Sequence, residues 1–206
     1  MRVTQGIVCL YGNVLWKMNN HYTLFLLTNN SYQKKKWGIG MRLVRPSIEW
    51  KNEHEAYMNE WDEPRMTPSS FNLAGYENYE VYLETLKIRE KGDGKWVPST
   101  NYFLVDENER VLAMVDIRHD LTDYLHNVGG HIGYGVRPTE RRKGHATRIL
   151  AEALKRCDEL GIQRVLVTCN ADNIGSAKTI VKNGGIEDKS FMEEDGTVVR
   201  RFWIER

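Results

Sequence analysis

The chain has few cysteines and no long apolar run, and both shortages narrow the range of its functions. It contains 206 residues but only three cysteines, and none of them forms a CxxC pair. A disulfide framework and a zinc site are therefore not indicated, and we expect no metal ion. No stretch approaches the ~18 unbroken apolar residues of a membrane-spanning helix. We therefore expect a cytoplasmic protein without a membrane partner.

A large excess of charge of either sign is missing as well. The sequence has 29 Lys and Arg against 28 Asp and Glu, a net charge of +1, and 41% of its residues are hydrophobic. This composition is typical of a soluble globular protein, and nothing in it points to a nucleic-acid partner. The length suffices for one full-sized hydrophobic core.

Acidic residues are absent from residues 1–40, although that segment holds five Lys and Arg. From Met41 onward, 24 cations face 28 acids, so the remainder has a net charge of −4. Two interpretations stay open for the first segment. It is either an extra pair of strands, GIVCLYG and HYTLFLL, or sequence upstream of a natural start at Met41. We favour the second, and so predict an N-terminal extension at 1–40 and one domain at 41–206.

Apolar periodicity and turn-forming residues predict the order of elements in that domain. The order is strand, two helices, three strands, helix, strand, helix and two strands. The predicted strands are MRLVRP, NYFLV, RVLAMVDI, HIGYGV and RVLVTC, followed by a closing hairpin. Two helical faces are predicted to be apolar, one carrying Val81, Leu83, Leu86 and Ile88 and the other Ile174, Ala177, Ile180 and Val181. The sequence thus predicts an α/β (α+β) fold, a mixed sheet with helices on both faces.

The segment RPTERRKGHATRIL places cations at the start of the long helix that runs to about Leu160. A helix N-terminus is already partially positive, so Arg141, Arg142 and Lys143 are unfavourable there unless an anion compensates them. Gly144 allows close backbone approach, and unpaired N–H groups can donate to a phosphate. A solvated basic turn is the alternative interpretation.

These residues resemble the GNAT superfamily of N-acetyltransferases. The family's pyrophosphate loop reads Arg or Gln, two residues, Gly, one residue, then Gly or Ala, and Arg141, Gly144 and Ala146 fit it. Downstream, Asn173 and Ser176 match a later family segment. The resemblance covers about residues 41–206, looks closest to a bacterial branch of predicted acetyltransferases, and implies a mostly antiparallel twisted sheet.

The resemblance implies acetyl-CoA as the cofactor. Its pyrophosphate is expected on the N–H groups of Arg142, Lys143, Gly144, His145 and Ala146, and its pantetheine arm along strand residues Tyr134 to Val136. Side chains of Arg141, Arg142 or Lys143 would reach the phosphates. Asn173 and Ser176 would approach the pantetheine, with simpler roles open for both: Asn173 as a helix cap and Ser176 as a packing residue.

The implied reaction is direct transfer of an acetyl group to a primary amine, on a small molecule or a protein. The tyrosine that some members use as general acid is replaced here by Ile180. His131, near the start of a strand, and His119, at the end of the preceding one, are the candidate bases, since imidazole titrates near neutrality. Structural histidines and proton transfer through water are the alternatives.

Other functions and partners were weighed against this one. A non-catalytic acetyl-CoA-binding sensor or interaction module is the main alternative, whereas the glycine spacing argues against a P-loop or a dinucleotide fold. Nucleic-acid binding through Arg137 and the basic triplet conflicts with the acidic balance after residue 40. Loops 64–78 and 119–130, which contain Arg65, Phe71, Asp123 and Tyr124, are expected to form the acceptor site. From what is common in the family, we also expect a homodimer formed by pairing through the last strand.

Overall fold

The computed structural model describes residues 40–61, 66–92 and 94–206, together with the backbone of three strands before them. Two compact units are present, Met1–Gly40 and Met41–Arg206. In the first, β1 (Val8–Leu10), β2 (Asn13–Met18) and β3 (His21–Phe25) form an antiparallel sheet in that order. The interpretation of residues 1–40 as sequence upstream of a natural start stays a prediction.

Within the described ranges of the second unit, seven strands form two sheets. One has the order β4 (Arg42–Val44), β5 (Ser99–Val105), β6 (Val111–Arg118) and β7 (Ile132–Val136). The other has the order β8 (Arg164–Asn170), β10 (Val198–Glu205) and β9 (Ile186–Met192). Every pairing within these sheets is antiparallel. The mostly antiparallel α/β fold and the predicted order of its elements are therefore confirmed.

In the described residues of this unit there are also four α-helices and four short helical turns. The α-helices are α1 (Lys51–Met58), α2 (Tyr79–Lys91), α3 (His145–Glu159) and α4 (Ile174–Lys182). Three 3-10 turns span Ile48–Trp50, Ser69–Phe71 and Pro138–Glu140, and a π-helical turn spans Leu125–Gly129. Asn78 caps α2 by accepting the Val81 N–H group at 2.9 Å. Gly161 follows α3 with a φ of 74°, in the left-handed region that favours glycine.

Two hydrophobic layers lie on opposite faces of the β4–β7 sheet. The larger layer joins α3 and α4 to β5–β8 and β10 through fully buried side chains such as Ile149, Leu150 and Phe202. The second layer joins α1 and residues 66–71 to β5 and β6, and includes Tyr57, Phe71 and Met114. Helices thus cover both faces, as predicted.

The buried faces of α2 and α4 differ from the predicted ones. In α2 the buried side chains are Tyr79, Tyr82 and Leu86, whereas Val81 and Ile88 are exposed. In α4 the buried side chains are Ala177, Thr179 and Ile180, whereas Ile174 and Val181 are exposed. The same difference occurs in both helices. Amphipathic Tyr and Thr side chains pack against the core, so the buried face is turned away from the aliphatic residues that were expected there.

Hydrogen bonds just before β7 link the two sheets of the second unit. The His131 N–H group donates to the Leu166 carbonyl at 2.7 Å, and the Leu166 N–H group donates to His131 Nδ1 at 2.9 Å. Beyond this point β7 and β8 belong to different sheets. Past this point β7 and β8 share no hydrogen-bonded ladder, and this unpaired interval between the two strands is called the opening below; α3 follows β7 along the chain.

The last strand, β10, lies between β8 and β9 and is paired along both edges. The predicted route to a homodimer through this strand is therefore wrong, since pairing between copies needs a free strand edge. Among the residues that the structure describes, none of the helices is long and apolar enough to cross a membrane.

Candidate functional site

The loop between β7 and α3 has an unusual backbone that sets the direction of the helix. Pro138 begins a 3-10 turn that ends at Glu140. Arg142 then has a φ of 64° and Gly144 a φ of 91°, both in the left-handed region, before α3 begins at His145. A β-carbon at Gly144 would touch nothing, so the constraint on this residue is conformational.

The N-terminus of α3 lacks the groups that normally compensate one. Gly144, at the N-cap, provides no side-chain hydrogen bond, and the first turn contains no acidic residue. The first N–H groups of a helix have no partner within the helix and carry its partial positive charge. This end of α3 is therefore suited to an anion such as a diphosphate.

Three of the basic residues around this terminus have partners within the protein. Lys143 Nζ lies 2.9 Å from Glu140 Oε2, and His145 Nε2 lies 3.5 Å from the same oxygen. Arg141 stacks over the Trp61 ring with its guanidinium carbon 5.0 Å from the centroid. The hydrogen bond from Lys143 lowers the pKa of the Glu140 carboxyl. Glu140 thus holds the loop in shape while Arg142 is exposed.

Arg137 is buried and ties this loop to α1. Its Nε donates to Glu60 Oε1 at 2.6 Å, and its Nη1 donates to Glu53 Oε2 at 2.9 Å and to the Val111 carbonyl at 3.1 Å. Although burial opposes it, hydrogen bonds from Thr139 and Arg137 lower the pKa of Glu60. Sequence reasoning grouped Arg137 with the exposed cations, whereas its side chain is only 5% exposed.

The Tyr134 side chain reaches from β7 to α4, the helix that follows β8. Its hydroxyl lies 2.9 Å from Ser176 Oγ on α4. Burial raises the pKa of Tyr134 to about 12, so the hydroxyl keeps its proton at neutral pH. Asn173 Oδ1 accepts the Ser176 N–H group at 3.0 Å and caps α4. The structure therefore brings Tyr134, Asn173 and Ser176 together between β7 and the start of α4.

The two glycines of β7 allow a loop to pass closely over the strand. A β-carbon at Gly135 would collide with the Thr67 carbonyl oxygen, and one at Gly133 would lie 3.5 Å from Pro68. Tyr134 and Val136 face the other way, onto the core layer of α3 and α4. Residues 66–71 thus cover one face of β7 while its edge borders the opening.

His131 is buried and occupied by a backbone hydrogen bond. Its Nδ1 accepts the Leu166 N–H group at 2.9 Å, and burial lowers its pKa to about 4. A neutral imidazole with Nδ1 as acceptor carries its proton on Nε2. These contacts favour a structural role, in which the ring replaces a strand carbonyl where the two sheets meet.

His119 follows β6 and contacts the start of β5. Its Nε2 lies 2.7 Å from Thr100 Oγ1, and its N–H group donates to the Pro98 carbonyl at 2.8 Å. Burial lowers its pKa, while the carboxylates of Glu90 and Asp116 oppose this shift. These contacts join His119 to the start of β5 and not to Tyr134 or Ser176.

Asp116 is a buried titratable residue that sequence reasoning did not select. It pairs in register with Gly133 of β7, and its Oδ2 lies 3.3 Å from Arg118 Nη2. Arg118 Nη1 donates to the carbonyls of Gly129 and Gly130 at 2.8 and 3.0 Å. Burial raises the pKa of Asp116 despite the neighbouring guanidinium. Only the strand register reveals this pair, because nothing in the run RVLAMVDIRH sets Asp116 apart.

The described residues give no support for two members of the predicted acceptor site, Phe71 and Arg65. Phe71, assigned to the acceptor site, is a fully buried core residue, and Arg65 lies outside the described residues. In the described part of the chain, no group of His, Cys, Asp and Glu could hold a metal ion.

Comparisons with known proteins place this geometry in a family. Residues 49–184, more than half of the chain, match the model of the Acetyltransferase (GNAT) family. None of the curated proteins matches the chain significantly. A dodecameric spermidine N-acetyltransferase from Vibrio cholerae is 15% identical with a TM-score of 0.57, covering 81% of this chain and 94% of that one.

A second solved structure has the same fold. It is the spermidine N-acetyltransferase from Vibrio cholerae in complex with CoA and spermine, which is 17% identical with a TM-score of 0.55 over 81% of this chain and 95% of that one. Identities this low establish the fold alone, whereas the family model covers the loop, α3 and α4. The chain therefore belongs to the GNAT acetyltransferase family and is an N-acetyltransferase that uses acetyl-CoA.

Proposed function

We propose that this protein transfers the acetyl group of acetyl-CoA directly to a primary amine, bound beside the opening between β7 and β8. The observation that carries the proposal is the N-terminus of α3, which has no capping side chain and no acid in its first turn. An uncompensated helix terminus that follows a strand directly is suited to a diphosphate.

The residues around that terminus fit the cofactor. N–H groups of residues 142–146 would bind the pyrophosphate, and the exposed Arg142 would add a charge-assisted hydrogen bond. The backbone of Tyr134 to Val136 would bind the pantetheine arm along the free edge of β7. Lys143 and His145 would act indirectly, since both side chains contact Glu140.

Direct transfer forms an N–C bond and breaks the thioester C–S bond. The ammonium group loses one proton before it attacks and a second as the tetrahedral intermediate collapses, and the leaving thiolate takes up a proton equivalent to this second one, so that one proton is released in total. Tyr134 is the residue best placed to supply the proton that the thiolate takes up. Its hydroxyl lies beside the first turn of α4, stays protonated at neutral pH and is oriented by Ser176 at 2.9 Å. A hydroxyl fixed at one position can act as a general acid without reorganisation.

The proton that the ammonium group loses before it attacks does not go through Tyr134. The predicted base roles of His131 and His119 stay predictions, and the contacts of both rings support structural roles. We therefore propose that water carries this proton away from the acceptor amine. A small molecule is the proposed acceptor, in keeping with the spermidine acetyltransferases of the same fold.

Release of free CoA tests the proposal. The purified chain is incubated with acetyl-CoA and a panel of primary amines, and the thiol released is measured over time. Release that depends on the amine supports direct transfer. Tight binding of acetyl-CoA without release for any amine contradicts it and supports the alternative, a non-catalytic acetyl-CoA sensor.

A further inference from the structure

A cleft of about 280 Å³ lies between the segment before β7 and the β9–β10 hairpin. Its floor and walls come from two stretches that are distant in sequence, residues 123–128 and residues 191–194. The lining residues are Asp123, Tyr124, Asn127, Val128, Phe191, Met192, Glu193 and Glu194.

Hydrogen bonds and register place this cleft beside the point where the two sheets meet. The Val128 carbonyl accepts the hydroxyl of Thr168 on β8. Phe191 pairs with Val199 of β10, which pairs in turn with Asn170 at the end of β8. The cleft therefore lies against β8, close to the His131–Leu166 junction from which the opening between β7 and β8 begins.

The walls of the cleft are apolar and open to solvent. Tyr124 is 63% exposed and Met192 is 69% exposed, although both are large hydrophobic side chains. Val128 and Phe191, which are half-buried, complete this surface. Exposed apolar area within a concave site is covered favourably by the carbon chain of a ligand.

The charged groups of the cleft are of one sign. Asp123, Glu193 and Glu194 contribute three carboxylates, and no Lys or Arg among the residues that the structure describes lines the cleft. Arg201, which lies near the π-helical turn, is held by His126 at 3.4 Å and by Asp188 at 3.9 Å. Clefts lined by one sign of charge concentrate ligands of the opposite sign.

We propose that this cleft binds the acceptor, and that the acceptor is a small primary amine carrying a second positive charge on a short aliphatic chain. The carboxylates would hold the distal cation while Tyr124, Phe191 and Met192 cover the chain. A volume of about 280 Å³ suits a small molecule better than a protein segment. This inference rests on the proposed function and names its substrate class.

Matched acceptors test the charge requirement. CoA release is measured with 1,4-diaminobutane, with butylamine and with a lysine-containing peptide at the same pH and ionic strength. We expect kcat/KM for the diamine to exceed that for butylamine by about tenfold or more, and the advantage to shrink as salt is added. Equal values for the two amines, or a preference for the peptide, overturn the inference while leaving acetyl transfer in place.

A pair of variants tests the carboxylates. In Glu193→Gln/Glu194→Gln the KM for 1,4-diaminobutane should rise by about fivefold to tenfold, with kcat and the KM for butylamine nearly unchanged. The control is Glu49→Gln/Glu107→Gln, which removes two exposed acids away from the cleft and should leave both KM values unchanged. An unchanged diamine KM in the first variant overturns the inference. Absence of CoA release with every amine overturns the proposed function as well, so the two failures are distinguishable.

Discussion

Arg137 is the residue that joins α1 to the loop in front of α3. Its three hydrogen-bonding partners are Glu53 in α1, Glu60 just after α1, and the carbonyl of Val111 at the start of β6. Because the guanidinium is buried and the glutamates are partly buried, removing it leaves carboxylates without their partner.

Arg137→Met should therefore lower the free energy of unfolding by about 3 kcal/mol, since breaking a buried pair costs far more than breaking an exposed one. Denaturation in urea measures the loss. Lys87→Met is the control, because Lys87 pairs with Glu84 on an exposed surface and should change stability by less than about 0.5 kcal/mol. Similar losses in the two variants would contradict the anchoring role of Arg137.

His131 should make stability depend on pH. Its pKa is lowered to about 4 by burial, so between that value and its ordinary value of 6.5 the unfolded chain binds more protons than the folded one. Stability should be full above pH 6.5 and fall as the pH drops towards 4, by on the order of 3 kcal/mol from this residue. His54, also lowered to about 4 by burial, should add a similar slope.

His131→Asn separates structure from catalysis. The Asn carbonyl oxygen can accept the Leu166 N–H group but does not titrate, so part of the pH slope should disappear in urea titrations run from pH 7 to pH 4. Acetyl transfer should be retained. A folded variant with normal acetyl-CoA binding and no turnover would instead support the predicted base role.

Tyr134→Phe should lower kcat by about a hundredfold with little change in acetyl-CoA affinity, because it removes the proposed proton donor and keeps the ring. Steady-state CoA release measures both parameters. Ser176→Ala is the matched control: it removes the partner of the hydroxyl but not the hydroxyl itself, so we expect only a few-fold decrease. An unchanged kcat in Tyr134→Phe would exclude the proposed role.

For single residues, the sequence allowed candidate functional residues to be selected, but it did not show which other residues they contact. Arg141, Gly144 and Ala146 could be predicted as cofactor-binding residues because a local motif has them at fixed spacing, and their role stays a prediction. Asp116 and Arg137 were missed or misplaced because their partners lie on other elements, and pairing across strands and helices leaves no local signal.

Among the elements, β7 shows how glycine spacing creates a surface for a loop. Gly135→Ala should reduce the free energy of unfolding by about 1–3 kcal/mol, because its β-carbon would overlap the Thr67 carbonyl and push the loop away. Gly175→Ala in α4 is the control, since its β-carbon meets only Asn173 Oδ1 at 3.7 Å and the helix favours Ala. Guanidinium denaturation should show a loss in the first variant alone, and equal effects would contradict the close approach.

The number, order and type of elements were predictable because apolar periodicity and turn residues are local properties. The faces of α2 and α4 were not, because Tyr79, Tyr82 and Thr179 pack inward while Val81, Ile88, Ile174 and Val181 are exposed. Which side of an amphipathic helix is buried depends on the neighbouring layer, here the aromatic cluster of α2 and its surroundings.

At the scale of the whole second unit, the two sheets are joined by hydrogen bonds between His131 and Leu166. The proposed site lies beside β7, where the pairing between the sheets stops. β7 provides one edge of it, and the loop that follows β7 delivers the N-terminus of α3. Sequence analysis predicted the helix terminus but not the division into two sheets, because the break depends on the pairing of strands far apart in the chain. The central claim is that this terminus binds the diphosphate of acetyl-CoA.

Titration calorimetry of the intact chain with acetyl-CoA tests this claim most directly, using Thr147→Glu and the neutral control Thr147→Gln. An acid in the first turn of α3 should stabilise the helix by about 0.3–1 kcal/mol while repelling the diphosphate. We predict one-site binding to the unaltered chain and to Thr147→Gln, and about tenfold weaker binding to Thr147→Glu. Equal affinity in all three proteins, or no heat for the unaltered chain, would contradict the account.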